Sequence, residues 1–176
     1  MTDDPLGPQS LAVTDRCPDC GAQLAGGRAG CQALWDRFSA QAYADLRLAA
    51  IHDLAFDAYS MQHPDTYCRS AKSYAAHLTR LCCGLEYAGS PSVYAAIRNR
   101  LDGQAQLAKP EVLKDFGRFT LADLQAASTP DEQAALVRIW AEAVWAAYAS
   151  QHELARQWIR EALGNPAKAM KKSNQR

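Results

Sequence analysis

The amino-acid sequence predicts an all-α protein, a bundle of about four main helices preceded by a cysteine-rich loop. Apolar residues recur at steps of three and four through most of the chain, and no strand-like alternation of useful length occurs. The chain has 176 residues, 48% of them hydrophobic and 22% charged, values typical of one globular domain. We expect a flexible leader over 1–16, a single helical domain over 17–163 and a disordered basic tail over 164–176.

Two apolar stripes predict the first two helices. The first is expected from Cys31 to about Ala42 and the second from about Asp45 to Gln62. A residue that precedes proline is pushed out of the α region, so His63 and Pro64 should end the second helix.

The third helix is expected from Ser70 to Tyr87, after a turn formed by Pro64-Asp65-Thr66. The short connection makes the second and third helices an antiparallel hairpin centred on that turn. A weaker helix is predicted over Pro91–Leu101, because Ser90 suits the N-cap and proline suits the first helical position.

The last third of the chain predicts an irregular segment over 102–118 and a short helix over 120–127. A long apolar stripe then continues over 128–163, starting at a Ser-Thr-Pro sequence. The capping-box pattern at 150–153 marks the place where this helix would be kinked or restarted if it is not continuous. Gly-Asn-Pro at 164–166 stops it.

The charge balance excludes two classes of partner. Nineteen Lys and Arg residues offset nineteen Asp and Glu residues, so no field attracts nucleic acid or an anionic membrane surface. No apolar run of about 18 residues occurs, and the acidic, polar start differs from a secretory signal. We therefore expect a cytoplasmic protein whose partner is a small molecule or another protein.

The cysteine spacing predicts a metal loop over 17–31. Cys17-x-x-Cys20-Gly21 matches a zinc knuckle, in which two thiolates grip one ion and the glycine permits the tight turn, and Cys31 supplies a third ligand at a helix start. A dithiol redox pair and inert buried thiols are the alternatives. Three other cysteines are expected to be small buried hydrophobic residues: Cys68, Cys82 and Cys83.

A structural zinc ion needs a fourth ligand. His63 is the first candidate, because it ends the second helix where the loop can reach it, and His52 is the alternative. A carboxylate such as Asp19 or Asp36, or a water molecule, could also fill the position.

Polar residues on the inner stripes of the hairpin predict an interior cluster. The hairpin geometry places His52 and His77 at one level, with Asp57 and Tyr59 on the same side and His152 of the last helix at the rim. Four of these residues are the candidate catalytic residues: Asp57, Tyr59, His77 and His152. The plain alternative is that each histidine is a hydrogen-bonded core residue.

Several short motifs occur together in a distinctive order. The chain resembles a family of short uncharacterised bacterial proteins in Cys17-x-x-Cys20-Gly21, Gly30-Cys31, His52, Asp57-Ala58-Tyr59, Gln62-His63-Pro64, His77-Leu78 and the segment of Trp140, Trp145 and His152. This resemblance implies a bacterial cytosolic protein whose cysteines and histidines belong to one functional group of residues. The architecture also resembles, more loosely, the DinB-like helical bundles that hold a metal on three inward histidines, although the cysteine loop departs from that pattern.

The sequence supports three functional hypotheses and leaves open whether the protein is an enzyme. The first is a zinc-binding helical protein that acts through an exposed face. The second is a small zinc-dependent enzyme that uses metal-activated water or thiol chemistry beside the His/Asp/Tyr cluster. A lesser third is a thiol redox sensor that uses Cys17 and Cys20.

Overall fold

The all-α prediction is confirmed by a computed structural model that describes residues 15–103 and 107–164. Within these ranges the chain forms helices and one isolated backbone bridge but no strand. The α-helices are α1 (Gly27–Ala44), α2 (Leu46–Gln62), α3 (Pro64–Tyr67), α4 (Ala71–Glu86), α5 (Pro91–Asp102), α6 (Pro130–Ala147) and α7 (His152–Ala162). The predicted leader and basic tail lie outside the described residues, except for 15, 16 and 164.

Helix α1 begins at Gly27, one turn earlier than the sequence predicts. Cys31 therefore lies in the second turn of the helix and not at the helix start, where the sequence places it. Helix α2 begins where expected, because the side chain of Asp45 caps it by accepting a hydrogen bond from the backbone N–H of Arg47.

The predicted turn after α2 is instead the one-turn helix α3. Its extra turn shifts the pairing of α2 with α4: Asp57 contacts His77 and Asp53 contacts Arg80. The antiparallel hairpin is therefore centred near residue 67 rather than in the Pro64-Asp65-Thr66 turn. This shift alters which polar side chains face each other across the hairpin.

The long C-terminal helix is broken. Helix α6 starts with a capping box between Thr129 and Glu132, and a 3-10 turn at Ala149–Gln151 separates it from α7. The short helix predicted before α6 is a 3-10 helix over Leu121–Ala126. Gln151 lies at this break, and its buried side chain accepts a hydrogen bond from the Tyr74 hydroxyl and donates one to the carbonyl of Glu111.

Helix α2 lies at the centre of the domain, packed against α1, α4 and α6, and α7 covers α4 and α5. The core between them is rich in aromatic residues, and each large side chain buried there contributes about 1.5–3 kcal/mol. The largest fully buried side chains include Trp140, Tyr59, Tyr74 and Tyr148. No helix in the described part of the chain is long and apolar enough to cross a membrane.

Candidate metal centre

The first two cysteines lie in a tight turn ahead of α1. The backbone N–H of Gly21 donates to the carbonyl of Cys17, and the N–H of Cys17 donates to the carbonyl of Ala22, both at 2.9 Å. Gly21 has a φ of 79°, a left-handed conformation that glycine adopts without strain. The sequence Cys-Pro-Asp-Cys-Gly therefore folds into a knuckle that aims both sulfurs inward.

Cys31 reaches the same place from the first turns of α1. The preceding Gly30 lets the loop close on the helix, because a Cβ atom there would lie 1.9 Å from the carbonyl oxygen of Ala25. Any larger residue at this position would push the loop away from α1. The sulfurs of Cys20 and Cys31 lie 3.7 Å apart.

His63 brings a nitrogen to these sulfurs from the end of α2. Its Nδ1–H donates a hydrogen bond to the carbonyl oxygen of Tyr59, with 2.7 Å between the two heavy atoms, and this leaves the lone pair of Nε2 facing the cysteines. Nε2 lies 3.4 Å from Sγ of Cys31 and 3.7 Å from Sγ of Cys17. The structure thus brings His63, and not His52, to the cysteine loop.

The four side chains form what we call the cysteine cluster: Cys17, Cys20, Cys31 and His63. Their ligand atoms all lie within 4.8 Å of one another. A tetrahedral zinc site, with bonds of about 2.3 Å to sulfur and about 2.05 Å to nitrogen, separates two sulfurs by about 3.8 Å and a sulfur and nitrogen by about 3.6 Å. The distances given above match these edges, so one ion of this size fits at the centre of the cluster.

The two thiols of the knuckle, Cys17 and Cys20, have pKa values above the ordinary value of a cysteine. The pKa of Cys20 rises to about 12, chiefly because of its hydrogen bond with Cys31 and then because of burial. Burial also raises the pKa of Cys17, although the backbone N–H groups of Cys20 and Asp19 donate to its sulfur. A bound cation would reverse this preference, since metal binding displaces the thiol protons.

Aromatic and amide side chains hold the cluster in place. The Tyr59 ring stacks on His63 with 4.0 Å between centroids and on Trp35 with 4.8 Å. The fully buried Gln62 donates to the carbonyls of Phe116 and Phe119 and accepts from the Trp140 indole. Gln62 therefore ties the irregular segment after α5 to the helix that carries His63.

A second polar group, which we call the Asp57 cluster, lies between α2 and α4: Asp57, His77 and Arg80. Nδ1 of His77 lies 2.9 Å from one oxygen of Asp57, and Nε of Arg80 donates to both oxygens at 3.1 and 3.2 Å. Burial raises the pKa of the Asp57 carboxyl, and its two hydrogen-bond partners, His77 and Arg80, act against that rise. Sequence reasoning missed Arg80, because nothing local marks it as the partner of a residue on another helix.

The single pocket predicted for the polar residues is wrong, because the structure places them at four positions. His52 lies 3.2 Å from the Ser39 hydroxyl on α1, Asp57 pairs with His77, and Tyr59 belongs to the wall of the cysteine cluster. His152 stacks on Trp145 with centroids 3.8 Å apart. The shifted register explains the difference, because the extra turn in α3 moves His77 away from the level of His52.

Three comparisons with known proteins give one match. Comparison with curated proteins and with solved structures finds none. The profile of the Family of unknown function (DUF5946) matches residues 15–149, which include the whole cysteine cluster and the Asp57 cluster. The chain therefore belongs to this family.

Proposed function

We propose that this protein is a zinc-binding helical protein in which Cys17, Cys20, Cys31 and His63 hold one structural zinc ion. The observation that carries the proposal is the convergence of the four ligand atoms within 4.8 Å of one another, with distances of 3.7, 3.7 and 3.4 Å for Cys17–His63, Cys20–Cys31 and Cys31–His63, close to the edges of a zinc tetrahedron. The ion pins the N-terminal loop to the end of α2, and the protein acts by binding a small molecule or another protein.

The loop supports this role because it has little apolar surface of its own. Ahead of α1 its buried apolar side chains are those of Cys17, Cys20 and Ala22. So few contacts do not offset the cost of ordering the backbone, about 1–2 kcal/mol per residue. Ligand bonds to a metal supply the missing free energy, as they do in other small zinc modules.

The same geometry favours a structural ion over a catalytic one. A catalytic zinc keeps one coordination position open for water or substrate, whereas three cysteines and one histidine complete a tetrahedron. The four residues are between 0% and 7% exposed. A redox sensor needs an accessible thiol with a low pKa, and both cysteines of the knuckle have a raised pKa.

Metal content of purified variants tests the proposal. We expect about one zinc ion per chain in the unaltered protein and far less than one in Cys20→Ser, because a hydroxyl is a poor substitute for a thiolate ligand. Cys82→Ser is the matched control, since Cys82 is equally buried but lies in α4 outside the cluster. Inductively coupled plasma mass spectrometry measures both.

Two results would overturn the assignment. A Cys20→Ser variant that keeps a full zinc ion would show that the metal is held elsewhere. Equal loss of zinc from Cys20→Ser and Cys82→Ser would show that metal content reflects general folding and not the four ligands.

A further inference from the structure

Helices α2 and α5 both pack on α4 and leave a groove of about 980 Å³ between them. This volume lies within the usual range of ligand pockets, about 300–1,000 Å³. The groove exists because small residues line it: Ala50, Ala76, Gly84, Ala88, Gly89 and Ala95. None of the four residues of the cysteine cluster lines it, so it is a separate feature of the molecule.

Gly84 of α4 leaves space at the floor of the groove because it has no side chain. A Cβ atom at this position would lie 2.8 Å from Cδ1 of Leu54 and 3.3 Å from the hydroxyl of Tyr94, too close for either. Glycine inside a helix costs about 0.5–1 kcal/mol relative to alanine, so its presence needs a packing reason. The close approach of Leu54 and Tyr94 over α4 is that reason.

Arg80 lies in this groove with part of its hydrogen-bonding capacity unused. Its Nε donates to the fully buried Asp57, and its guanidinium lies 5.5 Å from the centroid of the Tyr94 ring. Nη2 of Arg80 also forms an ion pair with the exposed Asp53, with 3.4 Å between Nη2 and the carboxylate oxygen. In the part of the chain that the structure describes, neither Nη group makes a hydrogen bond.

The rim of the groove carries charged side chains of both signs. Lys72 is paired with Asp102 at 3.0 Å, which links α4 to α5 at one end. Arg98 of α5 and Arg138 of α6 also line the groove, and neither has a salt-bridge partner among residues 15–103 and 107–164. The lining also contains three carboxylates, each in an ion pair: Asp53 with Arg80, Glu86 with Arg156 and Asp102 with Lys72. The groove therefore combines an apolar floor with the guanidinium of Arg80 and the two further arginines.

We propose that this groove binds a small organic oxyanion, with the apolar part of the ligand on the alanine-lined floor and its anionic group on Arg80. A guanidinium offers parallel N–H donors that match the oxygens of a carboxylate, sulfonate or phosphate. Asp57 acts as a positioning residue, because it holds Nε and so directs the Nη groups away from the core. Stacking on Tyr94 fixes the plane of the guanidinium.

Two fluorescent dyes that share a ring system test this. Anilinonaphthalene sulfonate carries an oxyanion, and phenylnaphthylamine has similar rings without it. We expect the sulfonate to bind at one site per chain and at least about tenfold more tightly than the neutral dye, since only the former meets Arg80. Fluorescence titration gives both dissociation constants.

Two variants locate the dye. Ala95→Phe fills the groove from α5 and leaves the Asp57 cluster intact, so it should weaken sulfonate binding by about tenfold or more. Ala135→Phe on the exposed surface of α6 is the matched control and should bind as the unaltered protein does. Arg80→Gln should abolish the preference for the sulfonate over the neutral dye, provided that circular dichroism shows a folded protein.

Several outcomes would overturn the proposal. These are the absence of saturable sulfonate binding, equal affinity for the two dyes, or an affinity that Ala95→Phe does not change. Because Ala95→Phe keeps Arg80 and Asp57 in place, the test stands even if Arg80→Gln does not fold.

Discussion

The cysteine cluster and the Asp57 cluster are both groups of polar side chains next to α2, since His63 directly follows this helix and Asp57 lies in it, yet they differ in how their charges are balanced. In the Asp57 cluster, one carboxylate meets the imidazole of His77 and the guanidinium of Arg80. In the cysteine cluster, three thiols and an imidazole meet only each other, and the pKa of Cys20 rises to about 12. Buried charges need partners, so the Asp57 carboxylate is balanced by side chains of the protein itself, whereas the cysteine cluster calls for a cation.

Removal of the metal ion should have the largest effect on stability, and this effect should arise from the cysteine cluster and not from the Asp57 cluster. Removing zinc with a strong chelator should lower the free energy of unfolding by more than about 5 kcal/mol, because the ion contributes its binding free energy to the fold. Thermal unfolding measures the loss, and hydrogen exchange should show faster exchange at 15–31 than in α4. An unchanged melting temperature after complete metal removal would contradict the structural role.

Asp57→Asn should give the next largest effect. It removes the carboxylate from a buried pair, which costs about 3–5 kcal/mol when one partner is left without the other. Zinc content should stay at one per chain, because the Asp57 cluster contains no ligand. Asp53→Asn is the control, since its side chain is 71% exposed and should change stability by less than about 0.5 kcal/mol. Loss of zinc in Asp57→Asn would show that the clusters are coupled.

Gln62→Leu tests whether the cysteine cluster depends on the segment after α5. The change leaves two backbone carbonyls and the Trp140 indole without their partner, which we expect to cost about 2–3 kcal/mol in urea unfolding. Gln41→Leu is the control, because it makes the same substitution at an exposed glutamine. Equal stability of the two variants would mean that these hydrogen bonds add nothing.

The smallest expected effect concerns pH. Arg156, with help from Trp145, holds the pKa of Glu86 below its ordinary value, although burial acts in the opposite direction. The stability that this carboxylate provides is therefore fully present above its ordinary pKa of about 4.3 and is lost as the pH falls through the lower folded value. Urea midpoints between about pH 5 and pH 3 should fall less steeply in Glu86→Gln than in the unaltered protein. Parallel slopes would contradict this.

Local sequence signals predicted much of the helical order. The spacing of apolar residues and the capping residues predicted the bounds of α2 and α4 and the start of α6 to within one or two residues. The turn residues of Pro64-Asp65-Thr66 also suit the first positions of a helix, so α3 was missed. The glycines between Gly26 and Gly30 hid the start of α1, because propensity alone disfavours a helix there.

In the candidate site, too, the features that depend on neighbouring residues in the sequence could be predicted, and those that depend on contacts between helices could not. The knuckle spacing and the position of His63 at a helix end could be recognised from the sequence, and the structure brings these residues together. The polar pocket could not be predicted correctly, because one extra helical turn changes the register of the whole hairpin. The partners of Gln62 and Arg80 lie on other elements, and no local pattern specifies them.

X-ray absorption at the zinc edge of the purified protein tests the central claim most directly, because it reports the atoms bound to the ion. We expect a shell of three sulfurs at about 2.3 Å and one nitrogen at about 2.05 Å, from Cys17, Cys20, Cys31 and His63. A shell dominated by oxygen and nitrogen, or one with fewer than three sulfurs, would contradict the account.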